Sequence, residues 1–223
     1  MSHIATSLHI PNNNNRRHNF ASPQSLSDWL KPRLPSNSFA SWGVNPGTKN
    51  VHNLWLELSQ GETSLDDSNP PVRTVQVVKV LITGKDGKFL LESHHELSNG
   101  KVSQRNRPLT EKMKPNEVPE STALREIREE LGSMLVVGSN AVTIDRNSYE
   151  MRVEERDSET YPGLLGCYVF HTFYATVEGL PEGDFCSHEV DEYADSDDKK
   201  VAHKAVSVKK HYWKWVSADS IQP

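Results

Sequence analysis

The residues of this chain best suited to chemistry are Glu126, Glu129 and Glu130, in the run Arg125-Glu126-Ile127-Arg128-Glu129-Glu130-Leu131-Gly132. The stretch 120–131 is full of good helix formers and stops at Gly132, so it reads as a helix. Positions i, i+3 and i+4 share a helix face, which places the three carboxylates on one stripe beside Arg125 and Arg128. Like charges at that spacing cost an isolated helix about 0.2–0.5 kcal/mol per pair. Two arrangements relieve the repulsion: a solvated acidic face, or a hard divalent cation. Mg²⁺ takes oxygen ligands, keeps several waters, and is commonly held by a few carboxylates together with substrate phosphates. The glutamates alone are compatible with both arrangements.

The wider spacing bears on that choice. Glu117 is separated from Arg125 by seven residues. The segment 111–132, EKMKPNEVPESTALREIREELG, resembles the Nudix box, G-x5-E-x7-R-E-U-x-E-E-x-G-U, where U is a bulky aliphatic residue. Glu117, Arg125, Glu126, Ile127, Glu129, Glu130 and Gly132 match the pattern, whereas Glu111 replaces the leading Gly and Ser133 the final aliphatic. The resemblance spans roughly residues 72–221 and leaves 1–71 outside. It implies an α+β Nudix fold, with a mixed β-sheet sandwiched between helices and preceded by an N-terminal extension. It also implies a Mg²⁺- (or Mn²⁺-) dependent hydrolase cleaving the diphosphate linkage of a nucleoside diphosphate-linked or other diphosphate compound.

By the same resemblance Glu126, Glu129 and Glu130 hold the metal, Glu126 helps to activate water, and Arg125 pairs with Glu117 to orient the loop and helix. Arg105, Arg107, Lys112 and Lys114 precede the helix and are candidates to meet the diphosphate, with ordinary surface charge as their other reading. Many Nudix enzymes take a further acid from a late loop. In the acidic stretch 178–198, Glu189 and Glu192 are the first candidates. The alternative function is a catalytically degenerate Nudix-fold domain that binds a nucleotide or a protein. The departures at Glu111 and Ser133 favour that alternative, and retention of all three glutamates favours the enzyme.

The elements that must position these groups are legible in outline. Residues 74–83 are rich in Val and Ile and read as a strand; Lys85-Asp86-Gly87-Lys88 is a hairpin turn leading to a strand at 89–93, and Asn99-Gly100 is a second turn. Tyr149, Met151 and Val153 alternate with charged residues, which predicts a half-buried strand. A long buried strand is expected over 164–177, an acidic loop over 179–200, and a last strand over 206–216 with Trp213 and Trp215 on one face as core. His94 and His95 are adjacent on a strand and are expected to face opposite ways, a poor arrangement for a shared metal. The family's last helix is not evident after the final strand.

Upstream, Val51, Leu54, Trp55 and Leu58 stand at helical spacing with Thr48 as the expected cap. The expected organisation is residues 1–27 as a disordered tail or transit segment, 28–70 as a partly helical extension that packs on the main domain without carrying chemistry, and 71–223 as the Nudix domain. Residues 1–27 hold no Asp or Glu, which suits either reading of the tail.

Composition narrows the classes. The net charge of −5 argues against a general nucleic-acid binder. No apolar stretch approaches the roughly 20 residues of a membrane helix, and the two cysteines, Cys167 and Cys186, form no CxxC pair. The expected setting is intracellular and cytoplasmic, with plastid or mitochondrion as the alternative if 1–27 is a transit peptide. The expected partner is a small diphosphate substrate.

Overall fold

A computed structural model of the chain describes residues 19–135, 141–188 and 204–221. It is α+β, with two sheets and few helices. The first sheet holds β1 (Thr63–Leu65), β2 (Val72–Ile82), β5 (Leu109–Lys112), β6 (Val142–Asp157) and β7 (Leu165–Val177). β1 and β5 follow one another along one edge of β2, and β7 occupies the other edge. β2 and β7 run parallel while every other pair is antiparallel, so the sheet is mixed. The second sheet is antiparallel in the order β4 (Val102–Arg107), β3 (Phe89–Leu97), β9 (Val208–Val216), β8 (Phe185–His188).

The helix that carries the glutamates is α4, Pro119–Leu131. Pro119 starts it, where the missing N–H costs nothing. Ala123, Ile127 and Leu131 make its apolar stripe and enter a core with Val78, Val80, Ile82, Phe173 and Trp213. Each buried Val, Ile, Leu or Phe side chain in this core contributes about 1.5–3 kcal/mol. The stripe sets the rotation of the helix, and so decides which glutamates face inward. Gly132 keeps right-handed helical angles and opens a 3-10 turn, Gly132–Met134, so the α-helix does not end on a left-handed glycine.

Several elements differ from expectation. β3 runs four residues past Ser93, and the acidic stretch contains β8. β6 is an edge strand, and Tyr149 and Met151 are 45% and 39% exposed, so the alternation there marks a pleat with both faces largely in solvent. After β9 there is a single 3-10 turn, Ala218–Ser220, among the described residues.

The N-terminal segment forms α1 (Pro23–Leu30), α2 (Ser36–Ala40) and α3 (Val51–Ser59). α1 starts on a Ser22–Ser25 capping box and crosses the expected boundary at residue 27. α3 is capped by Asn50 rather than Thr48, whose hydroxyl instead donates to the carbonyls of Ser41 and Asn45. Leu26, Leu30, Leu54, Leu65, Tyr161 and Leu164 pack as a second apolar cluster that ties these helices to the β6–β7 connection. The Asn53 side chain bonds both the carbonyl and the amide of Val206. No described helix is long and apolar enough to cross a membrane. Both cysteines are free thiols, and burial pushes the Cys167 thiol up, which suits an inert packing role.

Candidate active site

On α4 the carboxylates do not share one environment. Residue 130 follows 126 at i+4 on the inward side, whereas residue 129 falls 100° further round, next to residue 125. Accordingly Arg125 Nη1 donates to Glu129 Oε2 at 2.9 Å, while Glu130 lines a polar cleft. Glu126 is 1% exposed, and neither of its carboxylate oxygens has a hydrogen-bond partner. The three carboxylates of the one helix face thus differ in burial and in partners. Burial pushes the Glu126 carboxyl well above the usual range, the charges of Glu130 and Glu111 push it further, and Arg107 and Arg125 offset part of this.

Glu111 belongs to β5, opposite Val78, and is not among the positive-φ residues, so this position accepts a side chain without backbone strain. Its carboxylate adds to the negative charge around Glu126.

Arg125 and Glu117 lock the approach to the helix. Arg125 Nε donates to Glu117 Oε1 at 2.9 Å and Nη2 to Oε2 at 3.0 Å, with a further bond from Nη2 to the Lys112 carbonyl at 3.0 Å. Glu117 also accepts from the Lys114 amide and the Thr122 hydroxyl. Burial acts upward on this carboxyl, but the bonds from Arg125, Lys114 and Thr122 and the charge of Arg125 hold it at about 2. The clamp joins β5, the loop and α4. Arg125→Lys loses the planar fork, so it is expected to lower stability by about 1–3 kcal/mol. The resulting misplacement of α4 is expected to lower kcat by about 10–100-fold with a smaller change in KM; thermal melts and steady-state kinetics check both.

The cleft is lined from both sheets, from β5 and α4, and from the N-terminal extension. Arg105 and Arg107 both line it, and the buried Nε of Arg107 has no partner. Lys112 lines it too, but is ion-paired to Glu62 at 2.6 Å and Glu57 at 3.0 Å. Lys114 is exposed and does not line the cleft; its main chain serves Glu117. Glu189 and Glu192 lie outside the described residues.

Sequence reasoning missed several cleft residues. Lys49 and Glu57 come from the extension, Arg73 from β2, and Arg156, Tyr168 and Phe170 from β6 and β7. Glu92, His95 and His211 line the second sheet's wall. Single residues spread over separate elements carry no spacing signal, so only the packing of those elements could have found them.

The family model for the NUDIX domain matches residues 73–219. The chain belongs to the Nudix family, whose hydrolases act on pyrophosphate-containing small molecules. Comparison with curated proteins gives no significant match.

Proposed function

We propose that the chain is a Mg²⁺- or Mn²⁺-dependent hydrolase that cleaves the diphosphate linkage of a nucleoside diphosphate-linked or related compound at the cleft beside α4. The observation that carries this reading is Glu126, a buried carboxylate with both oxygens unpartnered and two further carboxylates, Glu130 and Glu111, acting on it. An unpaired buried charge is unstable unless a counter-ion or a proton compensates it. An all-oxygen donor set of this kind fits a hard cation.

In this reading Glu126 and Glu130 hold the cation, Glu111 reinforces the negative field, and Glu129 stays at the rim on Arg125. When bound, the cation neutralises the diphosphate and lowers the pKa of a coordinated water. Glu126, next to where that water would stand, is the group proposed to help activate it. Arg107, whose buried Nε lacks a partner, donates to a phosphate oxygen, and Arg105 adds positive charge from two positions earlier on β4. Arg125 and Glu117 position the helix and touch no substrate. The rings of Tyr168 and Phe170, half-buried on the cleft wall, offer apolar surface to the non-phosphate part of the substrate.

The test is release of phosphate or nucleotide from nucleotide sugars, dinucleoside polyphosphates, ADP-ribose, coenzyme A, oxidised nucleotides and isoprenoid diphosphates. Activity on at least one compound is expected with Mg²⁺ or Mn²⁺ and none in EDTA. Absence of release from every compound, by folded protein with metal present, would instead support the non-catalytic binding module.

A further inference from the structure

A second group of ligating side chains lies outside the Nudix box. β3 and β9 are neighbours, and His95 is the direct cross-strand partner of His211. Glu92 precedes His95 by three positions, which on a regular strand would put it on the other face. A register shift between Glu92 and His94 breaks that alternation and turns Glu92 onto the side of the two histidines. Bulges of this kind re-aim side chains and are common beside functional sites. The outcome is three buried ligating groups whose donor atoms all lie within 4.8 Å of one another. Nδ1 of His95 stands 3.1 Å, and Nδ1 of His211 2.6 Å, from the same oxygen, Oε1 of Glu92.

We infer that Glu92, His95 and His211 form a second cation site, which takes a borderline transition cation of the Zn²⁺ class. Two imidazole nitrogens and one carboxylate oxygen are the donor set of such ions, whereas Mg²⁺ selects oxygen. Ligands at about 2.0–2.2 Å from a tetrahedral ion stand about 3.3 Å apart, so the two His–Glu92 spacings need to open by less than about 1 Å, and the two histidine nitrogens, within 4.8 Å of one another, to settle at the same separation. On binding, the cation replaces the two Nδ1 hydrogens that otherwise bond Glu92, and each neutral imidazole carries its hydrogen on Nε2.

The surroundings hold the ligands in place. Arg105 Nε stands 3.4 Å from the other oxygen of Glu92. The His211 ring stacks on Trp213 at 5.7 Å, and Trp213 is fixed by its bond to Ser187 at 2.8 Å. Such outer contacts orient metal ligands. All three residues line the cleft, so the position left by three protein ligands is open to water or substrate.

The test is titration of the metal-stripped full chain with Co²⁺ alone. One equivalent is expected to give the intense visible bands of a tetrahedral nitrogen–oxygen site, retained in excess Mg²⁺ and removed by Zn²⁺. His95→Asn and His211→Asn are each expected to weaken Co²⁺ binding by about 100-fold or more, while Glu126→Gln keeps the bands. Proton NMR of the wild-type Co²⁺ form is expected to show two paramagnetically shifted, exchangeable imidazole N–H signals, a readout that needs no variant. Absence of the bands in folded wild type, their survival in a folded His211→Asn protein, or absence of the N–H signals overturns the assignment and leaves a hydrogen-bonded His–Glu–His cluster.

Discussion

Glu126→Gln is expected to remove turnover and, in the same molecule, to stabilise the metal-free protein. In the proposed reaction Glu126 holds the cation, so its loss is expected to lower kcat by about 10³-fold or more, equal to roughly 4 kcal/mol of barrier. Stability moves the other way because Glu126 is buried with neither oxygen partnered. The amide has the same shape and carries no charge, so the cost of the buried charge is removed while its own unpartnered polar groups keep part of the penalty, and a net gain of about 1 kcal/mol is expected. In a chain of this length that corresponds to a rise in Tm of about 2–4 °C per kcal/mol. The pH dependence has a definite sign. The folded carboxyl lies above its ordinary value of 4.5, so its contribution to stability is fully present below that value and is lost as pH rises through the folded value. The advantage of Gln over Glu should therefore be small at pH 4 and grow toward neutrality, and saturating Mg²⁺ or Mn²⁺ should close the gap by stabilising the wild type. Melts of both proteins in EDTA at several pH values check this.

The second large effect is expected far from α4. Glu57 of α3 is 1% exposed and bonds Arg73, itself 5% exposed, at 2.8 Å. Lys49 and Lys112 complete the cluster at 3.6 Å and 3.0 Å. Burial acts upward on Glu57, but the charges of Lys112, Arg73 and Lys49 outweigh it and hold the carboxyl well below the usual range. Glu57→Ala leaves a buried guanidinium without its carboxylate, so a loss of about 3–5 kcal/mol is expected. The wild-type contribution is present above the ordinary carboxyl value of 4.5 and is lost as pH falls below it toward the folded value. Wild type should thus lose stability on acidification more steeply than Glu57→Ala. Because the cluster joins the extension to β2 and β5 on the cleft wall, the extension is expected to support both the fold and turnover. If Glu57→Ala melts and turns over like wild type, that view of the extension is wrong.

The box was legible because its signal is local. Seven residues at fixed spacing identify one helix and the loop before it, and the family resemblance carried by that spacing implies the pairing of Arg125 with Glu117, which the structure contains. The strands were legible where burial is one-sided or complete, as in β2 and β7, and misread where an edge is exposed, as at Tyr149 and Met151. The unequal fates of Glu126, Glu129 and Glu130 were not legible, since they depend on how Ala123, Ile127 and Leu131 seat the helix on the sheet. His94 and His95 were expected to face opposite ways, and what mattered was the bulge that turned Glu92 toward His95. A one-residue change of register leaves no mark in composition. The extension read as a packing segment because its charged partners, Arg73 and Lys112, lie on other elements.

The most direct test of the central claim is the rate of diphosphate cleavage by wild type and Glu130→Gln, measured with Mg²⁺ and with EDTA on the best compound of the panel. Glu130 lines the cleft and acts electrostatically on Glu126. The expected result is metal-dependent release by wild type and a loss of about 10³-fold or more in a Glu130→Gln protein that melts normally. Release that persists in EDTA, or survives in Glu130→Gln, would contradict a cation held by the carboxylates of α4.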